Sequence, residues 1–207
     1  MTTRHAGDGR RLGEILAELT ARPAPDLTLG ELIESMGDRG HGLLIAALAL
    51  PNVLPIYLPG LSAIFGLPLV FVAFQLALGR QKLWLPAALG RRSIARAAFA
   101  RMAKAIAPWL TRLERALKPR WPELLGPLAE RLAGLLAILL GLLLSLPIPL
   151  TNIPLAIPLV LIGLGLAERD GLMLAIGLAL GVIVAVAVLA LSGALILAAL
   201  AWLASLI

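Results

Sequence analysis

Three apolar blocks divide the chain into polar and membrane-compatible segments. They cover residues 43–79, 132–167 and 172–207. A helix needs about 20 apolar residues to cross a hydrocarbon core of ~30 Å, so the pattern predicts an all-α polytopic membrane protein with about six membrane segments. The last block would form a helix of about 54 Å, and we expect it to divide at Ser192 and Gly193.

The polar segments carry helical patterns of their own. Residues 11–21 and 28–37 read as short amphipathic helices, the second opened by the capping box Thr28-x-x-Glu31. Residues 91–118 show a helical period with a basic face. That helix either lies in the membrane interface or is a solvated helix packed on the protein, and the sequence leaves both interpretations open.

Two Pro-rich breaks interrupt the first two apolar blocks. They are PNVLPIYLPG at 51–60 and LPIPLTNIPLAIP at 146–158, and each contains one of the two asparagines of the chain, Asn52 and Asn152. Proline removes a backbone donor, and lipid cannot satisfy the groups left over. The breaks are therefore re-entrant segments buried in protein or lining a wet cavity, or else tight turns at the outer surface.

The two breaks belong to an internal repeat. PLVFVAFQLA at 68–77 aligns with PLVLIGLGLA at 158–167, while the preceding break is two residues shorter in the second copy. Paired broken helices in two halves indicate a transporter-like central site. We therefore predict two related halves with Pro-broken or re-entrant helices, packed through their breaks, with Asn52 and Asn152 near each other.

Composition and charge agree with membrane insertion. Hydrophobic residues make up 60% of the chain, and the mean hydropathy is +0.95, above the level of soluble domains. Of the 18 Lys and Arg residues, 12 lie between Arg80 and Arg131, which indicates a cytoplasmic linker that attracts anionic lipid headgroups. This linker lacks interleaved aromatic residues, so we expect no nucleic-acid partner.

The chain has little chemistry for catalysis. It has no cysteine and only two histidines, His5 and His41, and its apolar blocks carry no Asp, Glu, Lys or Arg except at their edges. We therefore expect no metal site, no cofactor and no enzymatic activity. Polar residues near or within the apolar blocks are the candidates for substrate binding: Asn52, Asn152, Thr151, Tyr57, Gln75 and Arg39.

Two of these candidates have a competing interpretation. Gln75 can form a helix–helix hydrogen bond instead of a binding contact, and Arg39 can anchor the chain at the membrane interface. A stripe of small residues, Gly177, Gly181 and Ala185, permits close helix packing within or between subunits. The sequence therefore leaves open whether the protein forms a homo-oligomer.

The breaks and their flanks resemble the ExoD family of membrane proteins. The resemblance is carried by GDRGHG at 37–42, LALPNVLPIYLPGLSAIFGLPLV at 48–70 and LPIPLTNIPLAIPLVLIGLGLAERDG at 146–171. It implies a multi-pass protein of the bacterial inner membrane connected with exopolysaccharide production, and it supplies no catalytic residues.

These observations favour a transporter or transport accessory whose site lies at the breaks. A non-transporting scaffold for polysaccharide synthesis and a lipid-handling protein are the alternatives. The predicted organisation has five parts: cytoplasmic amphipathic helices at 1–40, a first membrane repeat at 41–79, a basic linker at 80–131, a second repeat at 132–171 and C-terminal membrane helices at 172–207.

Overall fold

The computed structural model describes residues 26–53, 61–80, 82–91, 93–95, 100, 120–146 and 151–205. This part of the chain is predominantly helical. Its six longer helices are α1 (Leu29–Met36), α2 (Gly40–Ala49), α3 (Leu61–Ala77), α4 (Pro127–Ser145), α5 (Asn152–Ala167) and α6 (Gly171–Ala204). Shorter elements are 3-10 turns at Gly37–Arg39, Leu50–Val53 and Pro122–Leu124, one helical turn at Ala87–Gly90, and the strands β1 (Asp26–Thr28) and β2 (Ser93–Ala95).

One polar segment has the structure predicted from the sequence, and another does not. The predicted capping box is present, since the Glu31 N–H donates to Thr28 Oγ1 at 3.2 Å while the Thr28 N–H donates to the Glu31 carboxylate at 3.0 Å. However, β2 pairs antiparallel with β1. The prediction of a helix is therefore wrong for residues 93–95, while 11–21, 96–99 and 101–119 lie outside the described residues.

Two helical hairpins form the centre of the structure. The first consists of α2 and α3, joined across the first break, and the second consists of α4 and α5, joined across the second break. Each hairpin packs on the other: α3 lies along α4, and α2 lies along α5. Their buried contact residues, among them Leu69, Leu140 and Leu159, form one continuous apolar core.

Glycines allow these helices to approach closely, and they do so at matching positions. A Cβ on Gly42 would lie 2.5 Å from the Gly163 carbonyl oxygen and 2.7 Å from the Ala167 nitrogen. A Cβ on Gly134 would lie 2.5 Å from the Ala77 nitrogen and 2.9 Å from the Ala73 oxygen. Small residues at such crossings bring backbones together.

The two sets of contacts are related by the predicted repeat. Ala73 and Ala77 correspond to Gly163 and Ala167 at the offset of 90. Gly42 corresponds to Gly134 at an offset of 92, because the second break is two residues shorter. The contact between α2 and α5 is thus repeated between α4 and α3. The structure carries an approximate two-fold symmetry that exchanges the hairpins.

The ends of the hairpins repeat as well. After α3, the backbone N–H of Arg80 donates to the backbone carbonyl of Gln75 at 3.1 Å. After α5, the backbone N–H of Asp170 donates to the backbone carbonyl of Gly165 at 2.9 Å. Positive φ angles occur at the equivalent positions Gly79 and Arg169, 73° and 52° respectively. Both helices therefore close with the same left-handed C-terminal turn.

The first two apolar blocks have two distinct ends. Charged residues gather where α2 and α4 begin and where α3 and α5 finish, and we call this the charged end. At the opposite end α2 and α4 finish and α3 and α5 begin, and we call it the break end because the Pro-rich breaks lie between these helices in the sequence. Within the described residues the break end includes Asn52, Ser62, Ser145, Thr151 and Asn152.

Helix α6 packs antiparallel on α5 and continues far beyond it. A Cβ on Gly165 would contact the Leu174 nitrogen, and a Cβ on Gly177 would contact the Ile162 nitrogen, so the small-residue stripe packs within the chain. The helix runs unbroken through Ser192, whose Oγ donates to the Val188 oxygen at 2.8 Å. The predicted division at Ser192 and Gly193 is therefore wrong, because the hydroxyl is satisfied inside the helix.

Two of the described helices are long and apolar enough to cross a membrane, Pro127–Ser145 and Gly171–Leu195. Shorter apolar helices cover Ser62–Ala77 and Asn152–Ala167. The helical fold is confirmed, apart from the short strand pair, while the number of six membrane segments stays a prediction.

Candidate functional site

The two hairpins meet through side chains at the break end. Asn152 opens α5, and its Nδ2 donates to Ser62 Oγ near the start of α3 at 2.7 Å. The two residues are 90 positions apart, so each is the equivalent of the other in the repeat. A contact between equivalent positions lies on the pseudo-two-fold axis. This hydrogen bond therefore marks the place where the axis passes through the break end.

Asn52 lies in the 3-10 turn that packs against α5 at the same end. Its side chain is only 3% exposed. The Nδ2 donates to the Leu48 oxygen at 3.4 Å, and the buried Oδ1 has no hydrogen-bond partner. Thr151, 5% exposed, precedes α5 on the other hairpin. Buried polar groups are usually paired, so the free Oδ1 calls for an explanation.

The structure separates the six predicted site residues. Asn52, Asn152 and Thr151 lie at the break end, and Tyr57 is outside the described residues. Gln75 and Arg39 lie toward the charged end. Gln75 Nε2 donates to the Trp84 oxygen at 3.1 Å, and the Trp84 N–H donates to Gln75 Oε1 at 2.8 Å. The buried Gln75 amide thus fixes the backbone of Trp84, in the segment that follows α3.

The charged end is a mixed surface of acids and bases. Arg169 Nη2 lies 3.8 Å from Asp38 Oδ2, with both side chains more than half exposed. The Arg131 guanidinium lies over the backbone of Gly79, where a Cβ would be 3.1 Å from its Nε. Exposed ion pairs of this kind contribute little to stability. The charged end is therefore the polar, exposed end of the two hairpins.

His41 lies at the start of α2, before the apolar run that begins at residue 43. Its side chain is 2% exposed, and its Nε2 has no hydrogen-bond partner.

The sequence did not place His41 or Ser62 in a site. Ser62 could have been found, because it aligns with Asn152 in the repeat, whereas nothing in the sequence shows that His41 is buried. In the part of the chain that the structure describes, no group of three metal-ligating side chains comes together.

Comparison with known proteins identifies the family. A family profile described as "Exopolysaccharide synthesis, ExoD" matches residues 12–204. The chain belongs to the ExoD family. The resemblance predicted from the breaks is thereby confirmed, and the apolar helices of this ExoD-family chain make it a membrane protein.

Two relatives show how far the similarity extends. Protein ExoD of Rhizobium meliloti is 35% identical over 155 residues, which cover 73% of this chain and 64% of that protein. An uncharacterised protein of Synechocystis is 34% identical over 163 residues, which cover 78% of this chain and 77% of that protein. No solved structure matches the chain significantly.

Proposed function

We propose that this chain is a multi-pass protein of the bacterial inner membrane that takes part in exopolysaccharide production. It transports an envelope-related solute, or assists its transport, through a site at the break end. Family membership supports the link to exopolysaccharide, and the depth of the break end supports transport.

The register of α5 against α6 gives this depth. Gly165 lies beside Leu174 and Ile162 beside Gly177, so the antiparallel register places Asn152 at about the level of Ala187. Helix α6 runs from residue 171 to residue 204, and Ala187 is close to its middle. About 25 Å of apolar helix therefore extends on either side of the break end.

Because lipid must surround the apolar second half of α6, a break end at this level lies inside the bilayer. The hairpins are then re-entrant: they enter from the charged end and turn back inside the membrane. Irregular backbone at that depth is tolerated only when it is buried in protein or faces water. Transporter sites are commonly built from such broken helices at the midplane.

Several features expected from the sequence accompany this function. The basic N-terminus and linker face the cytoplasm, membrane lipids bind at the linker, and the protein is not an enzyme. A scaffold that organises the synthesis machinery through the linker is the alternative function, and co-purification of a polysaccharide synthase would favour it.

Single cysteines can test the depth and wetness of the break end, since the natural chain contains none. Ser62→Cys places a thiol beside Asn152. Val186→Cys places a thiol at the same level on α6, at a residue that is 61% exposed. We expect a small hydrophilic thiol reagent to modify the first in membranes and to leave the second unmodified, because only the first would face a wet cavity.

Two other outcomes would contradict the proposal. Modification of both thiols would place the break end at the aqueous surface, and modification of neither would remove the cavity. As a control of orientation, Arg10→Cys and Arg101→Cys should resist an impermeant reagent in spheroplasts. Exopolysaccharide output of cells carrying Asn152→Leu should fall while the protein stays in the membrane.

A further inference from the structure

The approximate symmetry provides an internal comparison for every buried polar residue of the hairpins. At three equivalent positions the first hairpin carries a buried polar side chain where the second carries a small or apolar residue. These pairs are His41 and Ala133, Asn52 and Leu144, and Gln75 and Gly165. The second hairpin shows that the scaffold can be built without the polar group.

Gln75 has a structural explanation in its two hydrogen bonds to Trp84. Asn52 has none of comparable quality. Its equivalent in the sequence repeat, Leu144, is fully buried in the core of α4, whereas Asn52 lies in the 3-10 turn that follows α2. An asparagine with a free, buried acceptor is less favourable than such a leucine. The hydrogen bond to the Leu48 carbonyl near the end of α2 accounts for the Asn52 Nδ2, and the packing of the hairpins does not account for the Oδ1.

The orientation of the Asn52 amide is set by its surroundings. Its Nδ2 points to the Leu48 oxygen. The flipped amide would place Oδ1 against that carbonyl, acceptor against acceptor. The free atom is therefore an oxygen, and what it lacks is a hydrogen-bond donor.

We propose that Asn52 Oδ1 accepts a hydrogen bond from a neutral, hydroxyl-bearing solute bound at the break end. This rests on the proposed function and names the class of solute. The turn that carries Asn52 packs on α5, whose first residue bonds to Ser62 across the axis. The acceptor thus belongs to the region where the hairpins meet.

A hydroxyl donor fits this acceptor better than a cation does. The blocks at 43–79 and 132–167 contain no Asp or Glu. The acidic residues Asp38, Glu130 and Asp170 lie at the charged end, about 24 Å away along the 16 residues of α5. A cation at Asn52 would therefore lack a counter-charge, and a buried charge without one is strongly unfavourable.

The thermal stability of the purified full-length protein in detergent tests this assignment. The probes are methyl glucoside and inositol as neutral polyols, and NaCl as a cation source. We compare the natural chain, Asn52→Leu and, as a control without packing contacts, Gly193→Ala, since a Cβ on Gly193 meets no atom within 4 Å. Asn52→Ala provides a second variant should the leucine variant fail to fold.

We expect a polyol to raise the Tm of the natural chain saturably, by about 3–6 °C at ten times its dissociation constant. The Gly193→Ala variant should show the same rise. The Asn52 variants should show only the linear, unsaturable effect of an excluded osmolyte.

A Tm rise with NaCl that the Asn52 variants lose would assign a cation site and overturn the proposal. Equal responses of all variants to every probe would also overturn it, leaving Oδ1 to a buried water. The proposed function can fail separately. Polyol binding that depends on Asn52, combined with full exopolysaccharide output from Asn52→Leu cells, would show that the site exists but has no role in exopolysaccharide production.

Discussion

Replacing Gly134 by alanine tests the close packing of the two hairpins. The new Cβ would lie 2.5 Å from the Ala77 nitrogen and 2.9 Å from the Ala73 oxygen, well inside van der Waals contact. Both neighbours are backbone atoms of α3, so no side-chain rotation can relieve the clash and the helices must separate. Overpacking of this kind costs about 1–3 kcal/mol.

The matched control is Gly193→Ala in α6, where the new Cβ meets no atom within 4 Å. Alanine is favoured over glycine in a helix by about 1 kcal/mol, and this gain applies to both variants, so their difference isolates the packing cost. At about 2–4 °C per kcal/mol for a chain of this size, Gly134→Ala should melt roughly 2–12 °C below Gly193→Ala.

Thermal unfolding in detergent, followed by circular dichroism, measures this difference. Gly42→Ala should behave like Gly134→Ala, because its Cβ would meet the backbone of α5 at the equivalent position. Equal melting temperatures for Gly134→Ala and Gly193→Ala would refute the reasoning that these glycines allow the helices to pack closely.

Three further predictions concern individual hydrogen bonds. A double-mutant cycle of Asn152→Ala and Ser62→Ala should give a coupling of about 0.6 kcal/mol and at most ~1.7 kcal/mol; a coupling of zero would contradict the contact across the axis. Gln75→Leu should lower stability by about 1–3 kcal/mol and speed amide exchange of Trp84, whose N–H it would leave unpaired; unchanged exchange would count against the clamp. Thr28→Ala should cost about 1 kcal/mol of local helix stability, measurable as faster exchange at the start of α1, and a helix as well protected as in the natural chain would argue against the capping box.

The sequence determined the features that depend on neighbouring residues or on composition. Apolar blocks of this length predict membrane helices whatever they pack against. The capping box needs only Thr28 and Glu31, three positions apart. The repeat can be recognised because the same residues recur at the same offset, and the family resemblance lies in the same segments.

Tertiary structure decided what happens between distant segments. Ser192 and Gly193 look like a place to divide a long helix, yet the hydroxyl bonds to the Val188 oxygen and the helix continues. Residues 93–95 have a helical period, yet they are extended because β1 supplies a partner strand. Asn52 and Gln75 are both buried amides, and only their surroundings show that Gln75 is satisfied by Trp84 whereas Asn52 keeps a free acceptor. Hydrogen-bond partners of this kind come from residues that the local sequence does not specify.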